Sequence, residues 1–496
     1  MGTTTEPYPA GMVAIVVLGA VMLAVAGMIL HAGTADASSG TDATLTVCAS
    51  GDGALRLADD CRGNEQELAL ATEAGLQAAE SRVADLEAEV AELEEDKEAL
   101  RGGVAGLEDR VAELEGLLAG VTRADDDAGR DTLTFAGMNV QVVNGRDATD
   151  TSNGLGNLIV GYNAEGPTPG ERTGSHYVVV GDEHEWTAFG GVIAGLDHTA
   201  TGDWASVTGG FRNFAAGEYS WAAGGRNNVA SGEQSAVVGG VSNTASGDVA
   251  SAVGGNGNGA RGGVSSAIGG FFNEASGFRA VVSGGRHNEA SEDAASVSGG
   301  SDNLASGDAA SVTGGSENVA SGDLASVSGG TDNTSRGGHS SVSGGESNTA
   351  GGGFAWAGGG RSNSASGGHT SVSGGEDNTA SGEAASVSAG LRNVASVFGT
   401  SVSGGRDNEA SGEAAAVAGG MDNVASGRHS AVSGGIDNAA GPGAGTSVSG
   451  GQANEAVLLT DSVSGGFGNT ATGGGASILG GFENTVDSVF SCTPSC

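Results

Sequence analysis

Ser296-Val-Ser-Gly-Gly-Ser-Asp-Asn-Leu-Ala-Ser-Gly-Asp-Ala-Ala310 is followed directly by Ser311-Val-Thr-Gly-Gly-Ser-Glu-Asn-Val-Ala-Ser-Gly-Asp-Leu-Ala325. The Gly-Gly pair keeps this spacing of 15 from residues 209–210 to 434–435, and Ala389 is the one substitution in it. One extra residue within 441–444 shifts the frame, which resumes at 450–451. A fixed short period is typical of solenoids, and 15 residues are too few for a helix pair. The repeat therefore predicts one coil of a β-solenoid.

Three features of the repeat predict how each coil is built. Ser-Val-Ser alternates as a strand does, which places the valine inside and the serines outside. Gly-Gly is expected to form a corner, because glycine adopts positive φ at low cost. The asparagine that follows is expected to stack on its counterparts in a hydrogen-bonded ladder. The clearest members of this column are Asn213, Asn228, Asn243, Asn303, Asn318, Asn378, Asn408, Asn423 and Asn438.

We therefore predict a mainly β protein whose solenoid, or β-roll, has about 22 short coils. Regular 15-residue coils are expected over residues 201–496, after an N-terminal cap with irregular first coils over 131–200. The chain has 95 Gly and 6 Pro, and their periodic placement favours a folded solenoid over disorder. The cap is aromatic, which suggests either a thicker core or an aromatic binding surface. The rings proposed for that surface are Tyr177, Trp186, Phe189 and Trp204.

The N-terminal region has features of an exported chain. Residues 12–30 form an uncharged apolar run, so residues 1–37 are expected to be a signal peptide or a transmembrane anchor. Residues 38–75 are expected to be a linker that contains Cys48 and Cys61. Cysteines in an exported chain favour disulfides, here Cys48–Cys61 and a C-terminal Cys492–Cys496 clip. A free reactive pair or an intermolecular link is the alternative for the second pair.

Between residues 76 and 123 the period changes to seven, which predicts a coiled-coil stalk preceding the solenoid. Apolar residues fill most a and d positions, from Leu76 at a to Val121 at d, and Lys97 is a charged a residue. In a parallel pairing, three of four charged g–e′ contacts are attractive, so the stalk is expected to form a parallel homo-oligomer. Val at a with Leu at d favours two strands.

The composition excludes several function classes. One Lys, 19 Arg and 60 acidic residues give a net charge of −40, which argues against nucleic-acid binding. No serine-hydrolase elbow, zinc-protease motif or phosphate-binding loop occurs, so we expect no enzyme and no cofactor. One local cluster has ligand-type side chains, but its spacing matches no common metal site. It comprises His176, Glu183, His184, Glu185 and His198. Three further histidines, His339, His369 and His429, share one repeat position but are at least two coils apart, which is too far for common ligation.

Acidic residues also recur at fixed positions, and stacking would place like charges about 4.8 Å apart. The residues before the ladder asparagine are Asp302, Glu317, Asp332, Asp407, Asp422 and Asp437, and those after Ser-Gly include Asp293, Asp308 and Asp323. Such columns need either screening by salt or bridging by cations. Carboxylate oxygens are hard ligands, so a file of Ca²⁺ ions is one possibility.

The Ser-Val-Ser-Gly-Gly…Asn-x-Ala-Ser-Gly repeat resembles the YadA-like (Hep/Hag-type) head repeat of trimeric autotransporter adhesins, over residues 158–491. This resemblance implies a bacterial surface protein with a left-handed β-roll that trimerises and contacts host matrix or another surface. The repeat here is one residue longer, the coiled coil precedes the roll, and no C-terminal barrel anchor is found before Cys496. We therefore expect no autotransport.

The sequence predicts an exported surface protein of structural or adhesin-like function, displaying a solenoid on a coiled-coil stalk. Two alternatives stay open. One is an array-type solenoid that binds glycans or ice through its Ser-x-Ser columns, although serine lacks the methyl group of a threonine array. The other is a Ca²⁺-stabilised extracellular matrix or coat component.

Overall fold

A computed structural model describes residues 46–49, 55–57, 62–63, 66–69, 73–167 and 170–493. The chain divides into two compact units, one ending at Asn139 and the other beginning at Val140. The predicted apolar segment 12–30 lies outside the described residues, as do Cys61 and Cys496. No helix in the described part is long and apolar enough to cross a membrane.

The first unit begins with a small antiparallel sheet inside the span predicted as a linker. Its strands are β1 (Thr46–Ala49), β2 (Leu55–Leu57) and β3 (Gln66–Ala69), with β1 in the centre. Cys48 lies in β1, opposite Arg56 and Glu67. Residues 38–75 are therefore not purely a linker, and the pairing of Cys48 with Cys61 stays a prediction.

A single helix, α1 (Glu73–Leu117), covers most of the predicted heptads without interruption at Gly102, Gly103 or Gly106. It ends before the last predicted d position, because Gly120 adopts a φ of +91° and the chain turns there. Val121 instead starts a strand. The apolar heptad residues from Val83 to Leu114 are exposed by 49% to 70%, so the apolar seam of the helix is exposed.

The acidic segment after the helix forms a β-hairpin. Its strands β4 (Val121–Asp125) and β5 (Asp131–Phe135) pair in antiparallel register, with Val121 opposite Phe135. Asp126 closes the loop, since its carboxylate accepts hydrogen bonds from the Ala128 and Arg130 amides at 2.9 and 3.0 Å. Side chains that compete for backbone donors in this way favour turns, so a charge-rich sequence still forms a hairpin.

The second unit is the predicted β-solenoid, and two parallel sheets form most of its wall. We call them the valine sheet and the alanine sheet after their commonest inward residues. The valine sheet consists of Leu158–Val160, Ser175–Asp182, Phe189–Leu196, Ser206–Phe211, Trp221–Ala223, Ala236–Val238, Ser251–Val253, Ser266–Ile268, Val281–Val282, Ser296–Val297, Ser311–Val312, Ser326–Val327, Ser341–Val342, Trp356–Ala357, Ser371–Val372, Ser386–Val387, Ser401–Val402, Ala416–Val417, Ala431–Val432, Ser447–Val448, Ser462–Val463, Ser477–Ile478 and Cys492–Thr493.

The alanine sheet has 21 strands, which corresponds to about 21 coils against about 22 predicted. A third wall is held by single bridges between successive coils, such as Ser301 to Ser316. The strands of the alanine sheet are Glu185–Trp186, Thr199–Ala200, Phe214–Ala215, Val229–Ala230, Thr244–Ala245, Gly259–Ala260, Glu274–Ala275, Glu289–Ala290, Leu304–Ala305, Val319–Ala320, Thr334–Ser335, Thr349–Ala350, Ser364–Ala365, Thr379–Ala380, Val394–Ala395, Glu409–Ala410, Val424–Ala425, Ala439–Ala440, Glu455–Ala456, Thr470–Ala471 and Thr485–Val486.

The interior of each regular coil holds few and small side chains. In the coil that starts at Ser296, the buried residues are Val297, Asn303, Ala305, Gly307 and Ala310. Val297 stacks on Val312 in 15-residue register, as do the other strand pairs of the regular coils except those across the extra residue at 441–444, which are offset by 16. The predicted inward valines and outward serines are thus observed. Because each coil buries so little apolar surface, its stability depends on the coils above and below.

The two glycines of the Gly-Gly corner have different roles. Gly315 adopts a φ of +87°, and a Cβ there would overlap the carbonyl oxygen of Gly330 in the next coil. Gly314 has open space around its Cα and no positive φ. This difference explains why Ala389 can replace the first glycine, whereas Gly390 keeps the second at a φ of +107°.

The first coils have larger interior side chains than the regular ones. Tyr177, Val179, Trp186 and Ile193 are fully buried, which matches the interpretation of the cap as a thicker core. Trp186 donates its indole N–H to the Gly174 carbonyl at 3.1 Å. Burial raises the pKa of the Tyr177 hydroxyl. The proposed aromatic binding surface is wrong, because two of its four rings lie inside the coil.

Candidate functional site

The asparagine column forms a continuous internal ladder along the solenoid. Asn333 donates its backbone and side-chain N–H groups to Asn318 Oδ1 at 3.0 and 3.1 Å. Asn318 Nδ2 in turn donates to the carbonyls of Gly314 and Gly330 at 2.9 and 3.0 Å. Each buried amide therefore binds the corner of its own coil and of the next. The column is structural, and the extra residue at 441–444 leaves it intact, since Asn454 N still reaches Asn438 Oδ1 at 3.0 Å.

Two histidines take over this ladder in the cap. His184 and His198 are fully buried, and their rings stack with centroids 5.3 Å apart. The backbone amide of His198 donates to His184 Nδ1 at 3.3 Å, and that of Asn213 donates to His198 Nδ1 at 3.1 Å. Burial is the main cause that lowers the pKa of His198 to about 4, and it also lowers the pKa of His184. Both rings are therefore neutral near pH 7, and they continue the ladder.

The structure does not gather the predicted metal-ligand cluster into one site. His176 Nε2 accepts a hydrogen bond from the Asn144 amide at 3.2 Å, while His184 and His198 belong to the ladder. Within the described residues, no group of three or more His, Cys, Asp or Glu is close enough together to hold a metal ion. The neighbouring cavity of about 150 Å³ is lined by acids and by two arginines, Arg172 and Arg212.

The backbone conformation explains why acidic residues recur in the column before the ladder asparagine. Asp302, Glu317 and Asp332 adopt φ values of +58°, +57° and +56°, and the same left-handed conformation recurs at this position in successive coils. Aspartate tolerates this region better than most residues, because its short polar side chain can bond locally. Asp is therefore expected in this column whether or not a cation binds.

Basic side chains partly neutralise these acidic columns. Asp407 accepts two hydrogen bonds from Arg392 in the preceding coil, at 2.7 and 2.8 Å, and the Arg392 guanidinium lowers the pKa of that carboxyl. Asp302 lies 3.3 Å from His287 Nδ1 and 3.6 Å from an Arg286 nitrogen. Its pKa is lowered mainly by the Ser301 hydroxyl and further by His287 and Arg286. The repulsion along the column is therefore interrupted at these coils.

The outer surface of the valine sheet changes in character along the solenoid. In the first regular coils it carries apolar side chains, and Trp221, Val238, Val253 and Ile268 are each exposed by 37% to 43%. From Ser296 to Ser403 it carries two files of uncharged residues, which we call the serine face. Its members are Ser296, Ser298, Ser311, Thr313, Ser326, Ser328, Ser341, Ser343, Trp356, Gly358, Ser371, Ser373, Ser386, Ser388, Ser401 and Ser403.

One coil interrupts the serine face with an exposed indole. There Ser-Val-Ser is replaced by Trp356-Ala-Gly358, and Trp356 keeps 39% of its surface exposed. Its Nε1 donates to Ser343 Oγ at 3.1 Å, and its Cζ2 lies 3.0 Å from where a Cβ of Gly358 would be. The ring therefore lies along the face, and the absence of a side chain at Gly358 gives it room.

A second aromatic feature passes through the coil of Trp356. His339, Phe354 and His369 come from three successive coils, and their rings stack with centroids 4.7 and 5.0 Å apart. All three are exposed, and each is preceded by a glycine. Phe354 lies only two residues before Trp356. The sequence analysis missed the exposed Trp356 site. The replacement of Ser-Val-Ser by Trp-Ala-Gly in this coil could have indicated it.

Comparison with known proteins gives no relative from which a role could be carried over. No protein-family profile matches the chain. No characterised protein matches it significantly in sequence.

Proposed function

We propose that this chain is a structural or adhesin-like protein of the cell exterior, which self-associates through α1 and presents its solenoid to an extracellular surface. The observation that carries the proposal is a repeat solenoid with a Val/Ala core and a hydrogen-bonded asparagine ladder, preceded in the chain by a helix whose apolar seam is exposed. A β-solenoid of this kind is consistent with a structural or adhesin-like repeat protein.

Self-association is supported by the chemistry of the seam. Val90, Leu93, Leu100 and Leu107 are exposed by more than half of their surface. A contiguous apolar stripe on a soluble helix favours burial against a partner helix. The charged g and e positions, such as Arg82 with Glu87 and Arg110 with Glu115, favour a second copy in parallel as that partner.

Export is supported by two independent features. Cys492 is disulfide-bonded, and disulfides persist mainly in oxidising compartments. The apolar run at residues 12–30 is typical of a signal peptide or anchor. The resemblance to the YadA-like head repeat points to the same setting, with adhesion as the activity. An array-type binder is the second candidate, and the uncharged serine face favours it.

Sedimentation of the purified full chain tests the assembly. We expect a dimer or trimer that becomes monomeric when Leu93→Asp and Leu107→Asp are introduced together at d positions, because buried charges disrupt the seam. The matched control places the same charges at b positions, as Ala91→Asp with Ala105→Asp, and should assemble like the parent. A monomeric parent would contradict the proposal, and so would a seam variant that keeps the parent's assembly.

A further inference from the structure

We infer that Trp356 and the serine hydroxyls around it form a binding site for a neutral polysaccharide. This inference rests on the proposed adhesive function and assigns the class of ligand and the place where it binds. The C–H faces of sugar rings pack on aromatic rings, while their hydroxyls need hydrogen-bond partners nearby. Few parts of a protein surface supply both, and this coil does.

The first argument is that the indole is held in place. A free surface tryptophan would project into solvent, but the N–H group of Trp356 is hydrogen-bonded to Ser343. The absence of a side chain at Gly358 lets the ring lie along the face. An aromatic ring that is already ordered loses little conformational entropy on binding. Tryptophan also offers the largest apolar contact area of any side chain. The ring is thus pre-organised, with more than a third of its surface free.

The second argument is that this arrangement is built twice. Trp221-Ala-Ala223 departs from the repeat in the same way, and Trp221 Nε1 donates to Thr208 Oγ1 in the preceding coil at 2.9 Å. A small residue follows two positions after each tryptophan, where most coils of the serine face have serine. The outer surface of the valine sheet therefore holds an exposed indole in the same way at two places. The surroundings of the two rings differ, since Ala236 and Val238 follow Trp221 whereas Ser371 and Ser373 follow Trp356.

The third argument concerns the ligand's chemistry. Hydroxyls flank Trp356 in the coils on both sides, at Ser341, Ser343, Ser371 and Ser373. Successive coils are about 4.8 Å apart, a spacing comparable to the length of one pyranose ring, so a linear glycan along the axis meets hydroxyls repeatedly. The serine face carries no charged residue, and the chain's net charge of −40 disfavours anionic polymers. A neutral glycan is the class that satisfies both conditions.

Affinity electrophoresis of the full chain tests the site. Native gels would contain a neutral polysaccharide, such as hydroxyethylcellulose, mannan or galactan, or an anionic one, such as dextran sulfate. We expect retardation by at least one neutral polymer, and Trp356→Ser should weaken its apparent affinity about tenfold. This variant restores the residue found in neighbouring coils, so the fold is expected to persist. Trp356→Phe keeps an aromatic ring but loses the N–H hydrogen bond. Its apparent affinity should lie between those of Trp356→Ser and the parent.

Trp221→Ser is the matched control, because it removes an equally anchored and exposed indole whose following coil carries Ala236 and Val238 in place of serines. It should leave the retardation unchanged. Retardation by no neutral polymer, by dextran sulfate alone, or to the same extent in Trp356→Ser and the parent would overturn the inference. An equal loss in both tryptophan variants would also overturn it, since the serine hydroxyls of the following coil, which only Trp356 has, would then be irrelevant. Sedimentation of the same samples reports assembly separately, so a failure of the proposed function is distinguishable from a failure of this site.

Discussion

At the scale of single residues, the ladder explains how a thin solenoid tolerates one buried asparagine in each regular coil. A buried amide without partners costs about 1 to 3 kcal/mol, but each regular ladder asparagine is bonded to its own coil and to its neighbours. Histidine can occupy the same column, as His184 and His198 do, because a neutral ring nitrogen accepts the next backbone amide. That substitution makes the cap sensitive to protonation.

We predict that His198→Asn removes much of the acid sensitivity of the first coils. Burial holds the pKa of His198 at about 4, against the usual value of 6.5. Between these values the unfolded chain binds a proton that the folded chain does not, so stability falls as pH falls from about 6.5 to about 4 and then levels off. Protonation of this residue lowers the free energy of unfolding by up to about 3 kcal/mol.

Hydrogen exchange of the amides near His198, followed from pH 7 to pH 4, measures this effect. The Asn variant should show a shallower pH dependence, with a remainder due to His184, whose pKa is also lowered. His429→Asn is the control, because His429 is exposed on the outer surface and lies outside the ladder. An unchanged pH dependence in His198→Asn would show that this ring does not limit the stability of the cap.

At the scale of the coil, the close approach of successive turns sets the permitted residues more strictly than strand propensity does. The second glycine of each corner contacts the backbone of the next coil. A different glycine, buried just after the alanine-sheet strand, also contacts the backbone of the next coil. At Gly307, a Cβ would overlap the carbonyl of Gly322. Glu292, Val397, Leu458 and Ser488 take that position in four coils, and all four are exposed there. The wall thus accommodates a side chain only by turning it outward.

The two corner glycines give a paired prediction. Gly315→Ala should destabilise its coil by about 3 kcal/mol, because it combines a positive φ with an overlap against backbone that cannot move away. Gly314→Ala should change stability by less than about 0.5 kcal/mol, as the natural Ala389 indicates. Hydrogen exchange in the coils on either side measures both. Equal effects of the two substitutions would show that the corner is not set by steric contact between coils.

At the scale of the whole molecule, net charge is the dominant feature. Acidic residues such as Asp422 and Asp437 occupy the same position in successive coils. Neighbouring strands are about 4.8 Å apart, and like charges at that separation repel by about 1 kcal/mol in water. Arginines relieve this repulsion at some coils, as Arg392 does for Asp407. For carboxylates without a basic neighbour, we expect ions in solution to screen the repulsion.

We predict that the melting temperature rises with NaCl, because salt screens exposed charges. Millimolar Ca²⁺ should add nothing at matched ionic strength if screening is sufficient. A rise at Ca²⁺ concentrations far below the salt range, reversed by a chelator, would instead indicate cations bridging the carboxylates. Mg²⁺ at the same concentration is the control, because its stricter octahedral geometry makes bridging of such columns less favourable.

The sequence by itself determined the solenoid, its 15-residue register, the inward valines and the asparagine column, because a repeat imposes the same local conformation on every copy. It could not separate the two glycines of the corner, since their difference arises from contact with the next coil. It also missed the hairpin of residues 121–135, where Asp126 forms a turn within a charged segment. The tertiary structure alone decided which aromatics are exposed. Tyr177 and Trp186 turn inward and Trp356 lies along an outer face, because the side of the wall that a residue faces depends on how the coils stack.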